Sequence, residues 1–114
     1  MPLALFRAPL TPAIYTVAMS NPCSVVVTLE PLPGCADQVE AVVAQELDDI
    51  RGAAGCELYE LYRAVDDSVV LIERWSTREH WQAHFDEPAI ARLKRDLTPL
   101  LASPATRLEM YPSV

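Results

Sequence analysis

From Ser24 onward the hydrophobic positions of the chain change period several times, and each change marks an element. Ser24-Val-Val-Val-Thr-Leu-Glu30 is dense in β-branched residues and predicts a strand, which Pro31-Leu-Pro-Gly34 ends. Val39, Val42, Val43, Leu47 and Ile50 then recur at helical spacing and predict a helix over 36–51. Asp37 and Glu40 give that helix an Asp-x-x-Glu capping arrangement, and Gly52 is placed to take a left-handed cap. Residues 56–63 and 69–75 predict two further strands, and Asp66-Asp67-Ser68 between them predicts the turn of an antiparallel hairpin. Ser76-Thr-Arg-Glu79 has the form of a capping box and opens a helix with Trp81 and Phe85 on one face. Pro88 suits the first position of another helix, whose stripe of Ile90, Leu93 and Leu97 stops near Pro99. Thr106 to Tyr111 predicts the last strand.

The order strand, helix, strand, strand, helices, strand is the split βαβ order of an α+β, ferredoxin-like βαββαβ unit. Such a unit carries its helices on one face of the sheet. Along the third strand Val70 and Ile72 alternate with Val69 and Leu71, so both faces are apolar except at the charged end. Val25, Val26 and Val27 in succession say the same of the first strand. A second copy covering the helix-free face satisfies that pattern, which predicts a homodimer whose sheets face each other.

Residues 23–114 are therefore expected to form one domain, preceded by an amino-terminal arm or extension, residues 1–22. The arm is apolar, but Pro2, Pro9 and Pro12 interrupt it and Arg7 is its one basic residue. It fits neither a signal peptide nor a membrane span. It reads either as an extension ahead of a true start at Met19 or as a segment that packs on a partner. The formal charge of −7, from sixteen acids and nine bases, repels phosphate, so neither nucleic acid nor an anionic membrane is an expected partner. Cys23, Cys35 and Cys56 are odd in number and lack CxxC spacing. They read as free thiols, which points to the cytoplasm.

Gly55-Cys-Glu-Leu-Tyr-Glu-Leu-Tyr-Arg63, Asp66-Asp67, Glu73-Arg-Trp75, Trp81 and His84-Phe85 together resemble the antibiotic biosynthesis monooxygenase (ABM) domain, and Pro33-Gly34 before the first helix is similar too. The resemblance spans roughly residues 24–112. It implies a dimeric α/β barrel with one pocket per subunit between sheet and helices. It also implies oxygenation of a phenolic or hydroquinone substrate to a quinone by O2, without metal or flavin cofactor. The heme-degrading branch of that family has an Asn on the first strand and a His on the late helix, and neither is present here.

His84 falls at the edge of the face set by Trp81 and Phe85, where an imidazole can act as catalytic base or anion partner; a boundary histidine bonded to backbone is the plainer reading. His80 and His84 have metal-ligand spacing but no acidic third ligand, so no metal is expected. Trp75, Trp81 and Phe85 are candidates to wall the pocket and stack on a flat substrate, or to fill it as core. Tyr59 and Tyr62 point to opposite faces of their strand, so one of them is the candidate donor to substrate oxygen. Glu60 and Glu73 read as ion-pair partners of Arg63 and Arg74 near the dimer interface. Besides a cofactor-independent monooxygenase, two readings stay open: a non-catalytic ligand-binding or stress-response dimer, and an isomerase of the same fold. A solvent-sealed pocket with His84 pointing into it favours an enzyme, one filled by Trp75, Trp81 and Phe85 favours a structural role, and an active pocket without oxygen dependence favours the isomerase.

Overall fold

The computed structural model describes residues 21–113. Most of the expected arm, residues 1–20, lies outside them. The elements are β1 (Cys23–Leu29), α1 (Ala36–Arg51), β2 (Cys56–Arg63), β3 (Val69–Trp75), α2 (Arg78–His84), α3 (Pro88–Leu97), a 3-10 turn (Thr98–Leu100) and β4 (Thr106–Met110). The strands form a four-stranded sheet in the order β2-β3-β1-β4, antiparallel throughout. This is the ferredoxin-like arrangement expected from the element order.

Strand alternation decides what each face carries. Cys23, Val25, Val27 and Leu29 of β1 and Val69, Leu71, Glu73 and Trp75 of β3 are buried under the helices. Helix α1 sets Val39, Val43 and Ile50 against them, and α3 adds Ala89, Leu93 and Leu97. Each fully buried aliphatic side chain here contributes on the order of 1.5–3 kcal/mol. The ion pairs at the surface contribute less and serve to align elements. Arg63 on β2 reaches Asp37 and Glu40 of α1 at 2.7 and 3.0 Å, and Arg92 on α3 reaches Glu46 and Asp49 of α1, each at 2.8 Å.

Those contacts correct two local expectations. Cys35, not an acid, is the N-cap of α1, and no side chain caps it, because Asp37 and Glu40 face Arg63 instead. Gly52 ends α1 in the right-handed region at φ −80, with its N–H shared between the Asp48 and Asp49 carbonyls. The capping box is also displaced by one residue: Thr77 is the N-cap of α2 and accepts from the His80 N–H.

A bulge between Cys56 and Leu58 inserts one residue into β2. Cys56 and Tyr59 are three apart and would face opposite sides of a regular strand. With the bulge, both stand on the helix side, opposite Trp75 and Glu73. Leu58, Glu60 and Tyr62 fall on the other side, with Arg74, Ile72 and Val70. That outer face also presents Val26, Leu108 and Met110, and Tyr62 and Leu108 are 47% and 60% exposed.

The loop after α3 runs back beside β1: the Ala102 N–H donates to the Glu30 carbonyl at 2.7 Å and the Leu32 N–H to the Leu100 carbonyl at 2.8 Å. It delivers β4 to the open edge of β1, where Arg107 pairs in register with Val27 and so turns toward the helices. Arg78 of α2 holds the far end of β4 through Glu109, at 2.9 Å.

Gly55, at φ +80, lies against α2, and a Cβ there would meet the base of the His80 ring at 2.4 Å. Gly34, at φ +79, has the same backbone sign and open space around it. Gly34→Ala is expected to lose about 1 kcal/mol from backbone strain alone. Gly55→Ala should lose about 1–3 kcal/mol beyond that from the forced shift of His80. Urea unfolding of the two variants checks this; equal losses would show that α2 yields freely.

Candidate active site

A cavity of about 440 Å3 lies between the sheet and helix α3, within the size range of small-molecule sites. Val27, Leu71, Leu93 and Leu97 make most of its wall apolar. Three buried polar groups break that wall: Tyr59, Glu73 and His84, only 3–4% exposed. Lys94 and Arg107, both exposed, also line the cavity, from its solvent side.

Glu73 owes its position to β3. It follows Leu71 and precedes Trp75 on the same side of the strand, so alternation drives a carboxyl into the helix-facing layer. The Trp75 indole Nε1–H donates to Glu73 Oε1 at 2.9 Å. Burial pushes the Glu73 carboxyl up to about 7, against the smaller lowering effects of the Trp75 hydrogen bond and the Arg107 charge. Glu73 therefore changes charge near neutrality. This corrects the expectation of surface ion pairs: Glu73 is buried, and Glu60 sits on the outer face accepting from the Tyr62 hydroxyl at 2.5 Å. Arg74 pairs with Glu57 at 2.9 Å, and Arg63 with the acids of α1.

His84 is the last residue of α2. The Phe85 N–H bonds to the Gln82 carbonyl at 3.3 Å, and the Trp81 carbonyl is met by the His84 imidazole through Nδ1. A carbonyl only accepts, so Nδ1 carries the proton and the neutral ring keeps its lone pair on Nε2. Burial pushes the His84 pKa below its ordinary 6.5, so the ring is neutral at pH 7. It packs against Trp75 and Phe85 at tilts of 31° and 40°, with both ring-centre distances at 4.4 Å.

Tyr59 is driven above its ordinary pKa by burial and by the neighbouring Glu73, so it stays a phenol and a hydrogen-bond donor. Among the aromatic candidates, Phe85 lines the cavity with Arg107 over its ring at 5.1 Å. Trp75 is fully buried and stands behind Glu73 and His84 without lining the cavity. Trp81 packs edge-on to Phe85 at 5.2 Å, with an indole N–H that has no partner among the described residues. Tyr62 stands on the opposite face of the sheet. The cavity is thus not plugged by Trp75, Trp81 and Phe85. The His80 imidazole meets the Ser76 and Thr77 hydroxyls at 3.0 and 2.9 Å, apart from the cavity. No cluster of metal-ligating side chains occurs among the described residues.

With this geometry the known proteins can be compared. Residues 22–96 match the sequence model of the antibiotic biosynthesis monooxygenase family. The chain belongs to that family. Similar solved folds include Rv0793 from Mycobacterium tuberculosis, at 25% identity and a TM-score of 0.76, covering 81% of this chain and 95% of that one. PA3566 from Pseudomonas aeruginosa is 23% identical with a TM-score of 0.76, covering 84% and 98%. A solved antibiotic biosynthesis monooxygenase is 19% identical with a TM-score of 0.74, covering 81% and 99%. No curated protein sequence matches significantly. No helix among the described residues is long and apolar enough to cross a membrane.

The sequence singled out His84, Tyr59 and Phe85, which this ABM domain brings together at one cavity. It missed what Glu73, Arg107 and Lys94 do there. The parity of Glu73 with Leu71 and Trp75 was a readable signal. The inward turn of Arg107 depends on pairing with β1 and had none.

Glu73 makes stability depend on pH in a definite direction. Its folded pKa is raised, so between the ordinary 4.5 and about 7 the folded state holds a proton that the unfolded state has released. Stability then falls as pH rises through that window, and the loss is complete above it. His84, with a lowered pKa, acts oppositely, losing stability as pH falls below 6.5. Glu73→Gln removes the first effect only. Relative to wild type, the variant is expected to gain on the order of 2–3 kcal/mol between about pH 5 and about pH 8. Urea unfolding at several pH values measures this; a difference that does not change with pH sinks the assignment.

Proposed function

We propose that this protein is a cofactor-independent monooxygenase that oxidises a phenolic or hydroquinone substrate to a quinone with O2. The observation that carries the reading is His84 in the wall of an apolar cavity, with the imidazole held neutral by burial and its Nδ1 engaged by the Trp81 carbonyl, which leaves Nε2 as its basic atom. A base in that state can take a phenol proton without first losing one of its own.

The chemistry asks little more of the protein. Once deprotonated, the substrate ring is rich enough in electrons to pass one to O2, and the resulting radical pair closes a bond between oxygen and a ring carbon that carries a hydrogen, para to the phenolate in a phenol and ortho to it in a hydroquinone. His84 returns its proton to the peroxide. The ring hydrogen then leaves to the Glu73 carboxylate as the O–O bond breaks, and the departing hydroxide takes that proton as water. One substrate and one O2 give one quinone and one water. Phe85 offers a flat apolar wall, the Tyr59 phenol is the donor that orients the substrate oxygen, and the apolar walls around them limit the water beside the peroxide once substrate fills the cavity. Trp75 acts through others, holding Glu73 and backing His84.

The same proposal includes a cytosolic homodimer. Tyr62, Leu108 and Met110 on the outer sheet face form an exposed apolar surface that a second sheet would cover, and the three thiols are free. Leu108→Glu is expected to convert the dimer to a monomer in sedimentation velocity; a monomeric wild type would refute the sheet-to-sheet pairing.

Oxygen uptake by the metal-free protein with a panel of naphthohydroquinones and anthrones tests the activity. The expected result is quinone formation matched to oxygen consumed, falling about 100-fold or more in His84→Ala. No oxygen uptake above buffer, or a His84→Ala rate equal to wild type, overturns it.

A further inference from the structure

The basic side chains among the described residues divide into two groups. Arg63, Arg74, Arg78, Arg92 and Arg95 each meet a carboxylate, and Arg51 donates to the Tyr59 carbonyl. Lys94 and Arg107 have no carboxylate partner among the described residues, although the chain holds sixteen acids against nine bases. Both line the cavity that contains His84, Lys94 from α3 and Arg107 from β4. Glu73 is the one carboxyl of that lining; its hydrogen bond is with Trp75, and Arg107 acts on it only through its field, without an ion-pair contact.

The two cations are fixed differently. Arg107 lies over the Phe85 ring at 5.1 Å, which holds its planar fork at the cavity wall while leaving its N–H edges for another group. Lys94 adds a point charge on a flexible stem. Both are exposed, so they mark the mouth, whereas Glu73, Tyr59 and His84 mark the depth. A neutral hydroquinone leaves both cations without an ion-pair partner. A ligand with an acidic group at one end and a phenol at the other uses both zones.

We propose that the cavity takes an aromatic hydroxy acid, its carboxylate held by Arg107 and Lys94 at the mouth and its ring directed inward toward His84. This rests on the reading of the cavity as an aromatic-ligand site. It adds a selectivity for charge that the oxygenation chemistry does not itself require. It also places the carboxylate away from Glu73, whose own charge would repel it.

The test is anaerobic binding to the full chain, followed by tryptophan fluorescence, using 6-hydroxy-2-naphthoate and its carboxamide. The two probes share shape and differ in charge. The acid is expected to bind about tenfold tighter than the amide, as charge-assisted hydrogen bonds at a half-dry mouth would give. Arg107→Gln and Lys94→Gln should each weaken the acid more than the amide, and the double variant should close the gap. Added salt should weaken the acid alone. Equal affinities, no binding of either probe, or an unchanged gap in a double variant that keeps its wild-type circular dichroism overturns the proposal. Oxygen uptake separates it from the reading it rests on. Acid preference without turnover refutes the monooxygenase alone, and turnover of neutral hydroquinones without acid preference refutes the anion site alone.

Discussion

A carboxyl group occupies a position where the central strand calls for an apolar side chain. Glu73 lies between Leu71 and Trp75 on the buried side of β3, and the arrangement around the cavity follows from accommodating it. A buried carboxylate without partners costs several kcal/mol, so the fold has to neutralise it, bond it or bring charge near it. All three occur in part. The Trp75 indole bonds one oxygen, Arg107 contributes a field from β4, and the proton itself stays on the group up to about pH 7. None of the three wins outright, and the carboxyl is left poised near neutrality rather than fixed in either state.

The same restraint shapes His84. A fully paired imidazole would be an inert core residue. Here one nitrogen is committed to the Trp81 carbonyl at the end of α2, and burial keeps the ring neutral. The two aromatic neighbours at 4.4 Å hold its plane. Trp75 touches both buried groups, one through its N–H and one through its ring face. This accounts for an aromatic at the strand end that never reaches the cavity. Arg107 opposes proton uptake at His84 and favours ionisation of Glu73, so one cation biases both groups toward the forms that accept protons.

The sequence made the element order, the hairpin of β2 and β3 and the bounds of α1 legible, because each rests on period and turn chemistry within a short window. What it hid depended on pairing across distance. Tyr59 faces inward only because a bulge beside Cys56 resets the parity of β2, and nothing in Cys56-Glu-Leu-Tyr59 announces a bulge. Asp37 and Glu40 look like a cap until Arg63 arrives from another strand. Arg107 belongs to an edge strand exposed throughout, whose facing is set by register with β1 alone. His84 was legible as a candidate since it shares a short helix with Trp81 and directly precedes Phe85. Its burial was not, because the wall it joins is built by β3 and α3.

Alternation gives the two faces of one sheet unlike tasks. Each residue sent inward to shape the cavity obliges its neighbours to face the other way. With Val69, Leu71, Glu73 and Trp75 under the helices, Val70, Ile72 and Arg74 form part of an outer face that also carries Tyr62 and Leu108. A sheet this short cannot bury both faces against its own helices, since those helices lie on one side. An outer face left without helices is thus a consequence of building the cavity on the inner one. A cover there would also restrain the inward-facing side chains, because they hang from the same backbone. Rigidity of β3 matters most, for it carries both the carboxyl and the indole that holds it.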